Sequence, residues 1–305
     1  MWEKKSINFE DLKPHLDKTK FSWDRTNRRQ VLQGKKIRIE KSKIRKSLYR
    51  PFIKQICYFD TNRQLNNDTY QLPSIFPRPD HDNVGFYVPA ASSAARQFNA
   101  IGTDLLPDLC LSGSGSGQFF PRFTWSPVEV DDGGLFGEGD VVKQGEASVY
   151  GQVGEVVDGY VRVDNITDEI KQIYRDALGG DVSGDDIFHF VYGKLHDPGY
   201  RTQYAADLKK MLPHIETPNS RAEFDKFAAA GKELMDLHVN YESVEPWPLD
   251  IQVKGDESNR ETWRVRKMKW ATRKDPETGK NVNDVTKLIY NLSLIHISEP
   301  TRQAE

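Results

Sequence analysis

Cysteine is nearly missing from this sequence, and the two present, Cys57 and Cys110, cannot make a disulfide framework, so a reducing cytoplasm is the expected compartment. Long apolar runs are missing too. Nothing approaches the roughly 20 residues that cross a bilayer and no signal peptide opens the chain, so no membrane association is expected. The run SGSGSG at residues 112–117 lacks the Lys-Ser/Thr ending of a phosphate-binding loop and no clear helix follows it, so it reads as a flexible loop. The acidic tract at residues 128–160 lacks the D-x-[DN]-x-[DN]-G calcium pattern and predicts a small hairpin or a loop. His189, His196 and His214 fit no zinc spacing, which requires three or four converging ligands, and no metal site is expected.

What the chain does have is segregated charge. The formal net charge of −2 hides a stretch at residues 20–54 with thirteen Lys and Arg against two acids, Asp24 and Glu40. Residues 129–186 reverse this, with fifteen acids against four bases. A second basic patch, residues 263–274, holds Arg264, Arg266, Lys267, Lys269, Arg273 and Lys274 and no acid. Basic stripes beside aromatics suit a phosphate backbone, and they equally suit docking on an acidic neighbour. Charge alone leaves both open.

Periodicity predicts an α+β fold of mixed and antiparallel sheet elements with an inserted helical subdomain. Residues 53–59, rich in β-branched and aromatic residues, predict a buried strand after the turn Tyr49-Arg50-Pro51-Phe52, and Ile37 and Ile39 alternate with charges as in a short half-exposed strand before it. Residues 72–79, LPSIFPRP, predict an extended loop; residues 83–90 and 119–125 predict strands, and residues 105–109 a short apolar element. The helical half opens at Ile166-Thr167-Asp168-Glu169 and closes at Gly179-Gly180.

Residues 183–213 then read as two consecutive helices. Ser183 caps the first, with Asp185 and Asp186 in its positive first turn and Ile187, Phe190, Val191 and Leu195 as its buried stripe. Asp197 and Pro198 restart the chain, Tyr200, Tyr204, Leu208 and Met211 share the second face, and Pro213 stops it. Residues 220–238 predict a third helix with Phe224, Phe227, Leu234 and Leu237 inward. A terminal hairpin follows, from Trp263 to Trp270 and back along residues 285–292, with Trp263, Val265, Met268 and Trp270 near one apolar surface.

Several of these stretches resemble the C-terminal target-recognition domain of Type ISP single-chain restriction-modification enzymes: YGKLHDPGYRTQYAADLKKMLPHI, YRPFIKQICYFD, FPRP ahead of the strand at residues 83–90, Thr103-Asp104 with Pro107-Asp108 after it, and Leu-His-x-Asn-Tyr-Glu. In that family one polypeptide carries a nuclease, a helicase-like translocase, an adenine methyltransferase and the specificity domain. The resemblance implies that residues 1–48 are a basic linker from an upstream methyltransferase domain. Residues 49–292 would be the DNA target-recognition domain, with sheet elements at 49–164, a helical part at 165–240 and the terminal hairpin at 263–292. Residues 293–305 read as foreign to the domain.

No methyltransferase Asp/Asn-Pro-Pro-Phe/Tyr motif, translocase phosphate loop or nuclease carboxylate set is present, so no catalytic residue is expected in this stretch. S-adenosylmethionine, ATP and Mg2+ are expected for the parent enzyme and no cofactor for this part. The expected partners are double-stranded DNA and the upstream methyltransferase and helicase domains. The expected contacts to DNA are Lys43, Arg45, Lys46, Arg50 and Lys54, together with Arg264, Arg266, Lys267 and Lys269. The alternative is a docking module whose basic stripe binds an acidic partner domain.

Overall fold

A computed structural model describes residues 25–35, 39–60, 69–90, 98–113, 115–128, 146–149, 152–246, 249–264, 268–290 and 293–296. The chain divides into two compact units, residues 1–242 and 243–305.

In the first unit, a helix α1 (Arg25–Leu32) precedes the hairpin β1 (Ile44–Arg50) and β2 (Ile53–Tyr58). Pro51 fixes one turn residue, and Phe52 adopts φ +59, a left-handed conformation that costs a side chain with a Cβ about 1 kcal/mol or more. The expected strand around Ile37 and Ile39 is not where pairing begins; β1 starts at Ile44, and residues 36–38 lie outside the described residues. The loop expected at residues 72–79 starts instead with one helical turn, α2 (Leu72–Ile75), because Pro73 sits at its first positions, where a missing N–H costs nothing.

The strand β3 (Gly85–Pro89) is buried along its whole length, between β4 (Ile101–Thr103) and β6 (Gly117–Pro121). Alternation sends its side chains two ways. Phe86 and Val88 join the helices in one cluster with Phe188, Tyr192, Leu195 and Met235, while Tyr87 joins Leu48, Ile101 and Leu111 on the hairpin side. The hairpin sheet is completed by β5 (Leu106–Pro107), parallel to β1.

Residues 119–125, expected as one strand, are two strands in two sheets. The chain breaks at Arg122, and β7 (Phe123–Pro127) turns away to pair with β10 (Tyr160–Asp164), followed outward by β9 (Gln152–Val157) and β8 (Glu146–Val149). The reason is electrostatic: Arg122 is 5% exposed, and a guanidinium that deep needs anionic partners. It forms a two-pronged pair with Asp164 and donates from Nε to Asp185 at 2.6 Å. The acidic tract thus includes the hairpin β9–β10, turned by Asp158 and Gly159 at positive φ; residues 129–145 lie outside the described residues.

The helices α3 (Asp168–Leu178) and α4 (Gly184–His196) start at Thr167 and Ser183, whose hydroxyls accept from Ile170 N and Asp186 N. In α4 the predicted Ile187, Phe190 and Leu195 are buried, joined by Phe188 and Tyr192. Asp197 caps α5 (Pro198–Gln203), which ends ten residues before the expected stop at Pro213. Isolated turns follow; they still carry Tyr204 and Leu208 into the core, while Met211 is left exposed. The long helix α6 (Arg221–Val239) buries Phe224, Ala228, Gly231 and Met235, whereas Leu237, expected inward, is exposed.

The second unit is an antiparallel sheet in the order β11 (Asp250–Gln252), β14 (Ser293–His296), β13 (Asn281–Tyr290), β12 (Met268–Lys274), with one helical turn, α7 (Arg260–Trp263). The terminal hairpin therefore begins at Met268 rather than Trp263, whose indole N–H is held by Glu257 O at 2.8 Å. Met268 and Trp270 are exposed rather than on a covered apolar surface, and Val265 lies outside the described residues. The stretch expected to be foreign contributes β14.

α4 and α6 come backbone to backbone at Gly193 and Gly231. A Cβ on Gly231 would lie 1.9 Å from His189 O, and one on Gly193 2.3 Å from Phe227 O. Gly→Ala in a helix normally gains about 1 kcal/mol. Here Gly231→Ala is expected to lose about 2 kcal/mol or more, because the obstacle is backbone and cannot swing away. Urea unfolding of this variant, beside Ala229→Gly on the exposed side, measures the inversion.

Candidate nucleic-acid interface

The β1–β2 hairpin and Lys43 just ahead of it carry five of the expected DNA contacts, and neighbouring residues already use four. Lys43 donates to Asp60 Oδ1 at 3.0 Å and pairs with Glu40 at 3.1 Å; Asp60 is almost fully buried, and its hydrogen bond is the main reason the Lys43 ammonium is held above its usual range. Arg45 donates to Phe76 O at 2.7 Å and Arg78 O at 3.2 Å, and burial lowers its pKa. Arg50 lies over the Tyr49 ring at 4.1 Å and pairs with Asp108 at 3.2 Å. Lys54 pairs with Glu242 at 2.8 Å and lies over Tyr241 at 4.8 Å, so it bolts the hairpin to the end of α6. Lys46 is exposed. Its cross-strand neighbour Ile56 is 67% exposed, and Ile44 and Ile53 are exposed as well, so this hairpin is apolar as well as basic.

Arg45 locks the loop at residues 76–83. Asn83 locks it from the other side, donating to Ile75 O and Phe123 O and accepting from Phe123 N. His81 is buried and stacked on Trp125 at 4.3 Å, with the Tyr160 ring edge-on at 5.2 Å. Outside this anchorage stand Arg78 and Asp80, both exposed, joined Nε to Oδ1 and Nη2 to Oδ2 at 3.0 Å each. Sequence reasoning passed over Arg78 because one arginine in a proline-rich loop adds nothing to a charge count. Its two flanking prolines and the Asp two residues on were the available signal.

In the second unit Lys269, Arg273 and Lys274 are exposed along β12, the edge strand, and Arg264 is exposed and pairs with Glu261 at 3.4 Å. Arg266 and Lys267 lie outside the described residues. The β12–β13 turn is preformed: Asp275 accepts from Glu277 N, Thr278 N and Thr278 Oγ1, and Gly279 takes φ +65.

The histidines are structural groups. Tyr192 OH accepts from Gly102 N at 2.8 Å and hydrogen bonds His238 Nδ1; His196 stands edge-on to Tyr192, with its Nδ1 facing Arg201 at 3.1 Å. His189 is half-buried and His214 exposed. Among the described residues no three His, Cys, Asp or Glu converge as a metal site, and Asp164 and Asp185, which meet at Arg122, are ion-paired with it. No described helix is long and apolar enough to cross a membrane.

The model of the Type ISP C-terminal specificity domain matches residues 3–298. The chain belongs to this family. The specificity domain also resembles solved structures over nearly its whole length. The DrdV–DNA complex, seen by cryo-electron microscopy, matches with TM-score 0.62 and 27% identity, over 95% of this chain and 25% of that one. A nuclease-deletion mutant of the Type ISP restriction-modification enzyme LlaGI, in complex with a DNA substrate mimic, matches with TM-score 0.58 and 27% identity, over 96% and 22%. The ATP-dependent Type ISP enzyme LlaBIII bound to DNA matches with TM-score 0.62 and 25% identity, over 92% and 15%. This chain thus spans a quarter or less of those chains. No curated protein matches it significantly. The α+β class read from the sequence is the class of these specificity domains.

Burial pushes His196 down to about 4 and lowers His81, His189 and His238 as well. Each lowered group takes up its proton in the unfolded chain first, so stability is complete above about pH 6.5 and drains as the pH falls toward 4. Removing the His196 imidazole in His196→Gln is expected to flatten the urea-midpoint profile between pH 7 and 5, by on the order of 2 kcal/mol at pH 5. An unchanged slope would show that His196 does not titrate as its burial requires.

Proposed function

We propose that this chain is the specificity module of a Type ISP restriction-modification enzyme, reading a short duplex sequence and positioning a target adenine for the methyltransferase of the same polypeptide. The observation that carries this reading is the chain-long likeness to the corresponding part of three enzymes, each of them on DNA. Restriction, ATP-driven translocation and methyl transfer belong to the parts of such a polypeptide outside this chain, and ATP, Mg2+ and S-adenosylmethionine would serve there.

The division of labour follows from the pairings. Phosphate contact falls to cations in water: Lys46 on the hairpin, and Lys269, Arg273 and Lys274 on β12. Arg264 and Arg50 reach phosphates by exchanging a carboxylate partner, and Arg266 and Lys267 complete the second patch. Lys43, Arg45 and Lys54 hold the scaffold. The exposed Ile44 and Ile56, which share one face of the hairpin, and the exposed Ile53 beside its turn support a second reading for that hairpin alone, as a seat for another part of the same polypeptide.

Anisotropy of the 305-residue chain on a labelled random duplex, titrated with salt, is expected to give binding with a log–log slope of about −0.9 per phosphate contacted. Lys46→Ala is expected to lower that slope by about 1 and leave the unfolding midpoint alone. Lys43→Ala should do the reverse, destabilising the chain by about 2 kcal/mol by removing the ammonium paired with buried Asp60. A folded chain that ignores duplex DNA even at low salt would falsify the reading.

A further inference from the structure

We infer that Arg78, braced by Asp80, is a base-reading residue of this domain and that the base it reads is guanine; the inference rests on the DNA-recognition reading above. The side-on edge of the guanidinium, Nε and Nη2, is taken by the two Asp80 oxygens at 3.0 Å. The end-on edge, with one N–H on Nη1 and one on Nη2, points away and makes no hydrogen bond among the described residues. Two parallel donors in a fixed plane match the O6 and N7 acceptors that guanine presents in the major groove.

Presentation is rigid. Pro77 and Pro79 flank Arg78 and restrict the backbone around it, so the loop loses little freedom on binding. Arg45 ties Phe76 O and Arg78 O, Phe76 is buried, and His81 is stacked on Trp125, so both ends of the loop are fixed to the core. With the whole loop anchored, the exposed pair is carried at a set position and orientation.

The same chemistry argues against a phosphate as the ligand. The Arg78–Asp80 pair is net neutral, and Asp82 is exposed two residues on while Asp158 lies within electrostatic reach of Arg78. A phosphate would meet carboxylates here and gain little Coulomb energy. A guanine edge is uncharged and is selected by direction, which the Asp80 brace supplies. Asp80 costs long-range attraction and gives angular precision, a trade that suits readout of bases.

The test uses the whole chain. Its best duplex is selected from a random pool, and affinity is measured on every single base-pair substitution of that duplex for the unaltered chain, Arg78→Ala, Arg78→Lys and Asp80→Asn. One G·C pair is expected at which substitution costs the unaltered chain roughly 10- to 100-fold. Arg78→Ala should lose the same factor on the best duplex and become indifferent at that pair only, with the salt slope and unfolding midpoint unchanged. Arg78→Lys should behave likewise, since a charge without the fork cannot match two acceptors. Asp80→Asn should keep binding but lose part of the discrimination.

Equal weakening on all duplexes with a slope lower by about 1 would overturn the inference in favour of a phosphate contact. Unchanged affinities, or indifference at a pair other than G·C, would also overturn it while leaving the DNA reading intact. An unaltered chain that binds no duplex overturns both.

Discussion

Everything in the first unit turns on the burial of one guanidinium. Arg122 sits where the chain leaves the sheet of β3, β4 and β6 for that of β7 and β10, and its charge is acceptable there only because Asp164 and Asp185 come to it. Asp164 ends β10 and Asp185 opens α4, so one side chain dictates how the second sheet and the helical half meet the first. Lys171 of α3 adds a second cation on Asp164, and the net effect holds that carboxyl below its usual range despite burial. Even the glycine that starts α4 is fixed by this node, since a Cβ on Gly184 would lie 2.4 Å from Arg122 Nη2. A buried ion pair of this kind adds little net stability over an apolar substitute, but it is intolerant of alternatives. Its contribution is to orientation.

The all-buried β3 applies the same logic to packing. Its two faces carry different loads, helices on Phe86 and Val88, the β1–β2 hairpin on Tyr87, so the hairpin is seated on the same strand that seats the helices. Phe52 adds a second attachment at the turn, with its ring 5.3 Å from that of His238 and 5.2 Å from that of Tyr241. The left-handed backbone at Phe52 is the cost of putting an aromatic at the tip of a two-residue connection and aiming it at α6. A hairpin held at its turn, through Leu48 and through Arg45 is a rigid carrier for the exposed side chains it presents.

Much of the secondary structure was legible, and the failures share a cause. Caps and stripes are local, so α3, α4 and α6 could be read from Thr167, Ser183 and Ser220 and the apolar spacing behind each. Termination is less local: α5 stops after Gln203 although Tyr204, Leu208 and Met211 continue its spacing, because successive turns deliver the same tyrosine and leucine to the core. The break at Arg122 is invisible in FFPRFTW, since it is decided by carboxylates some 40 and 60 residues away. Charge was the most misleading guide. The count over residues 20–54 was right, but it could not say that Lys43 faces Asp60, Lys54 faces Glu242 and Arg45 faces two carbonyls.

On the proposed reading, that distinction bears on how a nearly neutral chain could recognise a polyanion. If every lysine and arginine of the basic stripe faced solvent, binding would be strong, sequence-blind and steeply dependent on salt. Spending Arg45 on backbone carbonyls removes one such charge and makes a loop rigid; pairing Arg78 with Asp80 removes another and fixes a plane. Each step lowers affinity for DNA in general and leaves the dependence on a correctly shaped acceptor. If the module's task is, as proposed, to refuse most sequences, cations consumed inside the protein are part of how selectivity is built, because the energy left for binding then comes from contacts that only one arrangement of bases can supply.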